Sequence, residues 1–256
     1  MDENTPLILV GYSMGANTMV KYLGECGHSN TLPKNVIGAI SLSNPFKIDH
    51  SEIAQPWEYI LRLGYKRSLF NHRRVLDFCP HYKSNLKTAY LANSLAALTD
   101  ISVPQMIRNE PLYPHSTSFG YMSVKDYWED ASSYRFISNI SVPLVVAFAE
   151  DDDIAGKNTW QYINYGLANP NVIFINTSSG GHIGWHHAMR NSPFGSWKFY
   201  SRTEDNRDWG TNLVIKFVHV LIIRQFHESI AQQKILDRKW VLENSRMQSE
   251  KFQSKL

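Results

Sequence analysis

Residues 6–24 read PLILVGYSMGANTMVKYLG, and this stretch decides the fold class. Its first part, Pro6 to Val10, is a continuous apolar run rich in branched side chains, which is typical of a strand buried on both faces of a parallel sheet. A helical spacing of apolar residues follows at once over residues 16–23 and is predicted to end at Gly24 or Gly27. The stretch therefore predicts a strand, a sharp turn and a helix in direct succession.

Three more segments repeat the apolar strand pattern, at Val36–Leu42, Leu144–Ala149 and Val172–Ile175. Four such strands with helical stretches between them predict an α/β fold with a mostly parallel sheet. Roughly a hundred residues separate the second strand from the third, whereas a crossover between parallel strands needs about a dozen or more. The excess predicts a helical cap insertion at about residues 51–118. Within it, apolar residues recur at helical spacing over residues 57–63, 75–79 and 86–98.

The composition is that of a folded chain with an ordinary charge balance. Of 256 residues, 43% are hydrophobic and 12% are aromatic, which suffices for a full-sized core and excludes intrinsic disorder of the whole chain. The formal net charge of +3 is spread along the sequence, so we expect no nucleic-acid partner. The two cysteines, Cys26 and Cys79, are too few for a disulfide framework. No metal and no cofactor are expected.

No transmembrane helix is expected from the sequence. The longest apolar run, residues 213–223, contains a lysine and is too short to cross a bilayer as a helix. The acidic segment at residues 1–6 leads directly into the first strand and lacks the features of a signal or transit peptide. Any membrane contact is therefore expected to be peripheral. A helical pattern runs over about residues 212–248, and we assign residues 1–225 to a partial α/β domain and residues 226–256 to a C-terminal helical tail.

A G-x-S-x-G motif, Gly11-Tyr12-Ser13-Met14-Gly15, lies at the turn between the first strand and the first helix. In this context the motif predicts a strained turn that presents the Ser13 hydroxyl as a nucleophile. Side chains at positions 11 and 15 are expected to collide with the neighbouring strand and helix, which accounts for the two glycines. The helix start directs partial positive charge toward a developing oxyanion, and the backbone N–H of Met14 is the expected first donor. The alternative is a tight turn that happens to contain a serine.

A serine nucleophile needs a base and an acid that orients the base, and after such a turn they follow in the order Ser, acid, His. The acid is expected just past the strand Leu144–Ala149, where the four acidic residues 150–153 stand. We select Asp152, with Asp151 as the alternative, because most side chains in a run of four acids face solvent.

The base is expected after the last strand, where the segment SGGHIG places His182 on a glycine-flanked loop. Such a loop allows an imidazole to reach the serine. His186 and His187 are the alternatives, although packing or surface roles fit them better. The remaining histidines are expected to be solvated or packed in the core: His28, His50, His72, His81, His115, His219 and His227.

These motifs together resemble one branch of the α/β-hydrolase superfamily, hydrolase family 4. The branch contains membrane-anchored phospholipases, yeast medium-chain fatty acid ethyl ester synthase/esterases, and plant and bacterial esterase-like proteins. The resemblance covers about residues 6–225. Its most specific parts are GYSMGANTMVKYLGECG at 11–27, AISLSNPF at 39–46, the segment 119–153 that leads into the acid, and GGHIGW at 180–185.

The resemblance implies the roles of three residues and a class of substrate. Carried over position by position, it makes Ser13 the nucleophile, Asp152 the acid of the pair Asp151-Asp152, and His182 the base. It implies that the substrates are acyl esters of lipids, either phospholipid or medium-chain esters. It also allows acyl transfer to an alcohol where water is excluded.

The sequence also departs from the family pattern. Family members carry more than a hundred residues before the elbow, including a membrane anchor, the first strands and a loop with the second oxyanion donor, whereas Ser13 lies close to residue 1 in this chain. We therefore expect the chain to correspond to the C-terminal part of such a hydrolase, with one edge of the sheet unpaired. Loss of one oxyanion donor typically costs about 3 to 4 kcal/mol of transition-state stabilisation. The alternative function is thus a catalytically impaired fragment that binds lipid or a protein partner.

Overall fold

The computed structural model describes residues 5–76, 87–102, 124–155, 159–185 and 209–253. The chain forms two compact units, Met1–Gly210 and Thr211–Leu256. The first unit holds the sheet and all residues selected from the sequence as nucleophile, acid and base. The boundary between domain and tail at residue 225 stays a prediction.

Four parallel strands form the sheet of the first unit, in the spatial order β1-β2-β3-β4. They are β1 (Leu7–Tyr12), β2 (Val36–Leu42), β3 (Leu144–Ala149) and β4 (Val172–Thr177). The predicted α/β class with a parallel sheet is confirmed, and each strand lies where an apolar run predicted one. All six residues of β3 are buried between its neighbours. β1 lies at an edge of the described sheet, and Val10 and Tyr12 on it are 40% and 44% exposed.

Helical segments lie between successive strands, as the sequence pattern predicted, and one long helix follows the last strand. In the described part of the chain they are α1 (Met14–Ser29), α2 (Trp57–Asn71), α3 (Arg73–Leu76), α4 (Leu95–Ser102), α5 (Val124–Ala131) and α6 (Trp209–Gln253), with a short helical segment at residues 87–91. Short 3-10 segments occur at His50–Glu52, Ser133–Arg135, Ile137–Asn139 and Thr159–Tyr165. The predicted cap insertion is mostly helical in its described portion, and its residues 77–86 and 103–118, with most of the predicted helical segment 75–79, lie outside the described residues.

Helix α1 continues through both glycines at which it was predicted to end. A Cβ on Gly24 would overlap the carbonyl oxygen of Phe136, and one on Gly27 would overlap the carbonyl oxygen of Asn139. The two glycines therefore serve the close approach of the helix to the turns that precede β3. The helix ends instead at Asn30, whose left-handed φ of 56° is typical of a residue that terminates a helix.

The helix predicted over residues 86–98 is interrupted, and two charged side chains of α2 lie at the break. The Lys66 ammonium donates to the carbonyl oxygen of Ala92 at 2.6 Å, just after the short helical segment. The Glu58 carboxylate accepts from the backbone N–H of Leu95, the first residue of α4. A positive charge at a helix C-terminus and a negative charge at an N-terminus satisfy the backbone groups that a helix leaves unpaired.

The second unit consists, in its described part, of helix α6 from Thr211 onward, and this helix covers the segment predicted to be helical. Several of its apolar side chains are exposed, among them Val220, Ile222, Ile223 and Phe226. None of the helices within the described ranges combines the length and the apolar character that a membrane span requires.

Candidate active site

Ser13 occupies the turn between β1 and α1 in a strained backbone conformation. Its φ of 51° and ψ of −127° are values that residues other than glycine rarely adopt. Its backbone N–H donates to the Leu42 carbonyl oxygen at the end of β2 at 2.9 Å, and its own carbonyl oxygen accepts from the N–H of Ala16 at 2.9 Å. Contacts with the neighbouring strand and with the first turn of α1 therefore hold the strained turn in place.

The two glycines of the motif differ in what a side chain would meet. A Cβ on Gly11 would lie 2.6 Å from the Cα of Ala16, so the helix backbone leaves no room for one. A Cβ on Gly15 would meet no described atom within 4 Å. The predicted collision is thus found at position 11. At position 15 the prediction is wrong for the described part of the chain, because no strand or helix there comes close enough to collide.

Asp152 lies just after β3 and is 2% exposed. Its Oδ1 accepts from the backbone N–H groups of Ile154 at 3.0 Å and Ala155 at 2.8 Å. These two hydrogen bonds fix the carboxylate in the turn that follows the strand. The sequence-based selection of Asp152 therefore falls on a buried and held carboxylate.

His182 lies on the loop after β4 and joins the serine to the acid. Its Nε2 is 2.8 Å from Ser13 Oγ, and its Nδ1 is 3.0 Å from both Oδ1 and Oδ2 of Asp152. The three side chains that the sequence selected from three separate loops thus form one continuous chain of hydrogen bonds. The alternatives His186 and His187 lie outside the described residues.

The environment of Asp152 keeps its carboxyl ionised. Burial raises the pKa of this carboxyl, but hydrogen bonds from the His182 ring and from the N–H groups of Ala155 and Ile154 outweigh burial. The pKa of Asp152 therefore lies below its ordinary value of 3.8. A carboxylate facing Nδ1 favours the His182 tautomer with its proton on Nδ1, and this leaves Nε2 free to accept a proton from the Ser13 hydroxyl.

The backbone N–H of Met14 is placed to act as an oxyanion donor. Met14 is the first residue of α1, where backbone N–H groups have no partner within the helix. Within the described part of the chain no acceptor pairs with this N–H. The Ser13 N–H, in contrast, already donates to Leu42 and is not available. The group next to the serine therefore combines a free donor with the positive end of a helix dipole.

Two further residues contact the backbone of the His182 loop. Asp151, the alternative acid, directs its Oδ1 to the N–H groups of Gly180 and Gly181. Ser43, which directly follows β2, accepts from the N–H of Ile183 with its Oγ at 3.2 Å. Sequence reasoning did not single out Ser43, because its role depends on a contact across 140 positions of the chain that no local pattern shows.

A separate cavity of about 580 Å³ lies between the segment after β2 and helices α4 and α5. His50 lines it and packs edge-on against Trp128, with 4.9 Å between the ring centroids. The pKa of His50 lies below its ordinary value, because burial lowers it by more than the charges of Asp49 and Asp100 raise it. The Ser13, His182 and Asp152 side chains do not line this cavity. No cluster of potential metal ligands occurs in the described ranges.

Comparison with known proteins identifies the family to which the chain belongs. The sequence profile described as alpha/beta hydrolase fold matches residues 3–186, which contain the four strands, the Ser13 turn and the His182 loop. The chain therefore belongs to the alpha/beta hydrolase fold family.

Three curated relatives illustrate the similarity. The monoacylglycerol lipase of Saccharomyces cerevisiae is 30% identical over 190 residues, which cover 71% of this chain and 38% of that protein. The embryogenesis-associated protein EMB8 of Picea glauca is 28% identical over 235 residues, covering 86% of this chain and 44% of the relative. Human monoacylglycerol lipase ABHD2 is 27% identical over 198 residues, covering 71% and 43%. Each alignment thus spans less than half of the relative's length.

Proposed function

We propose that this chain carries the catalytic residues of a serine hydrolase that cleaves carboxylic esters of lipids. The observation that carries the proposal is the hydrogen-bonded chain from Ser13 through His182 to Asp152. Membership in the alpha/beta hydrolase fold family and the position of Ser13 in a strained turn before a helix support the same assignment.

In the proposed reaction Ser13 Oγ attacks the ester carbonyl carbon while His182 Nε2 takes the hydroxyl proton. The Asp152 carboxylate stabilises the imidazolium that forms, and the Met14 N–H donates to the developing oxyanion. His182 then returns the proton to the leaving alcohol as the carbon–oxygen bond breaks, and the acyl group stays on Ser13. Water, activated by His182, releases the acid in the second half of the reaction.

The proposed substrates are monoacylglycerols, medium-chain acyl esters or phospholipids. Two of the relatives are monoacylglycerol lipases by name, and the motifs at the serine, acid and histidine resemble hydrolase family 4. Exposed apolar side chains on α2, namely Trp57, Tyr59 and Ile60, are consistent with a lipid substrate delivered from a membrane surface. Where an alcohol replaces water in the second step, the same acyl-enzyme would give acyl transfer.

Labelling with a fluorophosphonate probe tests the proposed nucleophile, since the probe reacts only with a serine that a base activates. The native chain is expected to label, and the variants Ser13→Ala and His182→Ala are expected not to. His28→Ala provides the matched control, because His28 is exposed on α1 and should leave labelling unchanged. A folded native chain that does not label, yet binds lipid vesicles, would favour the alternative of a catalytically impaired lipid-binding fragment.

A series of p-nitrophenyl esters with acyl chains of increasing length tests the substrate class. We expect kcat/KM to rise from short to medium chains, because each additional buried methylene contributes about 0.8 kcal/mol when the acyl chain lies in an apolar site. A profile that falls steadily with chain length would contradict a lipid substrate while leaving the serine mechanism intact.

A further inference from the structure

We infer that Asp151 and Ser43 are positioning residues that clamp the His182 loop from two sides and fix the place of its imidazole. The inference rests on the proposed function, in which His182 is the base. It concerns backbone contacts of the loop and not the hydrogen bonds of the His182 ring itself.

The loop around His182 has a backbone that needs external support. Gly181 and Ile183, the residues on either side of His182, have φ values of +54° and 66°, both in the left-handed region. A β-branched residue rarely adopts such a conformation, and it persists where surrounding contacts hold it. The contacts that hold this loop therefore decide where the imidazole stands.

Asp151 holds the first half of the loop. Its Oδ1 accepts from the N–H of Gly180 at 2.9 Å and from the N–H of Gly181 at 2.7 Å. The next residue, Asp152, bonds to the His182 ring. Two adjacent residues after β3 thus hold the backbone and the side chain of the same loop, so the ring and the acid keep a fixed relative position.

Ser43 holds the second half of the loop from the end of β2. It is fully buried, has a left-handed φ of 49°, and anchors its N–H to the Ala147 carbonyl oxygen of β3 at 2.9 Å. Its Oγ accepts from the Ile183 N–H. The preceding residue, Leu42, accepts from the Ser13 N–H. Two adjacent residues at the end of β2 therefore hold the two loops: Leu42 accepts from the serine turn, and Ser43 accepts from the histidine loop.

Substitutions at position 151 can distinguish a role in positioning the loop backbone from a role as the acid that orients His182. The two glycine N–H groups need a hydrogen-bond acceptor and no negative charge, so an asparagine at position 151 can accept both bonds through its own Oδ1. Alanine at the same position cannot. If Asp151 acted as the acid that orients His182, asparagine would fail as alanine does.

Two measurements on the same variants test the clamp. The first is the rate of fluorophosphonate labelling at Ser13, and the second is the low-field proton NMR signal of His182 Nδ1–H, assigned by its loss in His182→Ala. Asp151→Ala is expected to slow labelling by roughly tenfold to a hundredfold, because small displacements of a catalytic group have effects of this size, and to broaden or remove the signal. Asp151→Asn is expected to restore both.

Ser43→Gly provides an independent variant, because glycine adopts the left-handed φ and lacks the hydroxymethyl group whose Oγ accepts from the Ile183 N–H. It is expected to slow labelling and broaden the NMR signal in the same way as Asp151→Ala. Glu150→Gln is the matched control, since Glu150 accepts from the Asn176 side chain and does not bond to the histidine loop. Thermal unfolding confirms that each variant is folded.

Different results would contradict the positioning role of Asp151 and Ser43 and the proposed serine hydrolase function. Native rates and an unchanged signal in both Asp151→Ala and Ser43→Gly would overturn the clamp, as would an Asp151→Asn variant that is as slow as alanine. If the native chain does not label at all, the proposed function fails. A signal that disappears in Asp151→Ala and returns in Asp151→Asn would still support the clamp in that case.

Discussion

Ser13 and His182 lie 169 positions apart in the chain, yet 2.8 Å separates Ser13 Oγ from His182 Nε2. The parallel sheet accounts for this proximity, because the carboxyl ends of β1, β3 and β4 all lie at one edge of the sheet. The loops that follow these strands carry the serine, the acid and the histidine. The position of each of the three side chains therefore depends on the register in which its own strand pairs with its neighbours.

Replacing Asp152 by asparagine tests the role of its charge. Asparagine can still accept from the N–H groups of Ile154 and Ala155, but it cannot stabilise an imidazolium on His182. We expect kcat for ester hydrolysis to fall by roughly a thousandfold to ten thousandfold with the fold intact. Glu25→Gln, which removes an exposed carboxylate on α1, is expected to leave kcat unchanged. Comparable kcat values for the native chain and Asp152→Asn would rule out this acid.

The lowered pKa of Asp152 predicts how stability depends on pH. Because the pKa of the folded state lies below the ordinary 3.8, ionised Asp152 stabilises the fold at pH values above 3.8. This contribution is lost as the pH falls through the folded-state pKa. Chemical unfolding from neutral to strongly acidic pH should therefore show the native chain losing its stability advantage over Asp152→Asn at the acidic end. If the difference in free energy of unfolding between the two chains does not change with pH, the hydrogen bonds to Asp152 do not favour its ionised form.

The motif glycines give a prediction that separates two otherwise similar positions. Gly11→Ala places a Cβ against the backbone of Ala16, so the turn must move and Ser13 loses its position. We expect strongly reduced fluorophosphonate labelling together with reduced stability. Gly15→Ala meets open space and should retain most of the labelling. Equal effects of the two substitutions on labelling would show that the described contacts do not determine the shape of the turn.

Gly24 should be intolerant of any side chain, since a Cβ there overlaps the Phe136 carbonyl. Gly24→Ala is expected to lower the free energy of unfolding by about 1 to 3 kcal/mol, the usual cost of overpacking. Gly64→Ala is the matched helical control. Gly64 lies on the exposed side of α2 with open space around it, and the change should raise stability by about 0.5 to 1 kcal/mol. Urea unfolding of both variants measures the contrast.

Much of this architecture could be predicted because its signals are local. A strand buried on both faces has a continuous run of apolar residues, and Leu144–Ala149 is recognisable for that reason. The Ser13 turn is local too, since strand, small residues and helix follow one another within a few positions. The order of serine, acid and histidine then directed attention to Asp152 and His182, which the structure brings together.

The parts that could not be predicted depend on contacts between distant segments. Gly24 and Gly27 match the pattern of a helix end, but their small size serves the packing of α1 against residues more than a hundred positions away. Ser43 has no local motif, because both its left-handed φ and its bond to Ile183 arise only in the folded chain. The room around Gly15 depends equally on what packs beside the turn.

The central claim is that Ser13 becomes acylated during ester cleavage, and trapping the acyl-enzyme tests it most directly. The chain is mixed with a p-nitrophenyl ester, quenched in acid during the first turnover, and studied by intact-mass and peptide mass spectrometry. We expect a burst of nitrophenolate and a mass increase of a single acyl group on the peptide that contains Ser13. Steady ester cleavage with no acylated Ser13, or with the acyl group on another side chain, would contradict the claim.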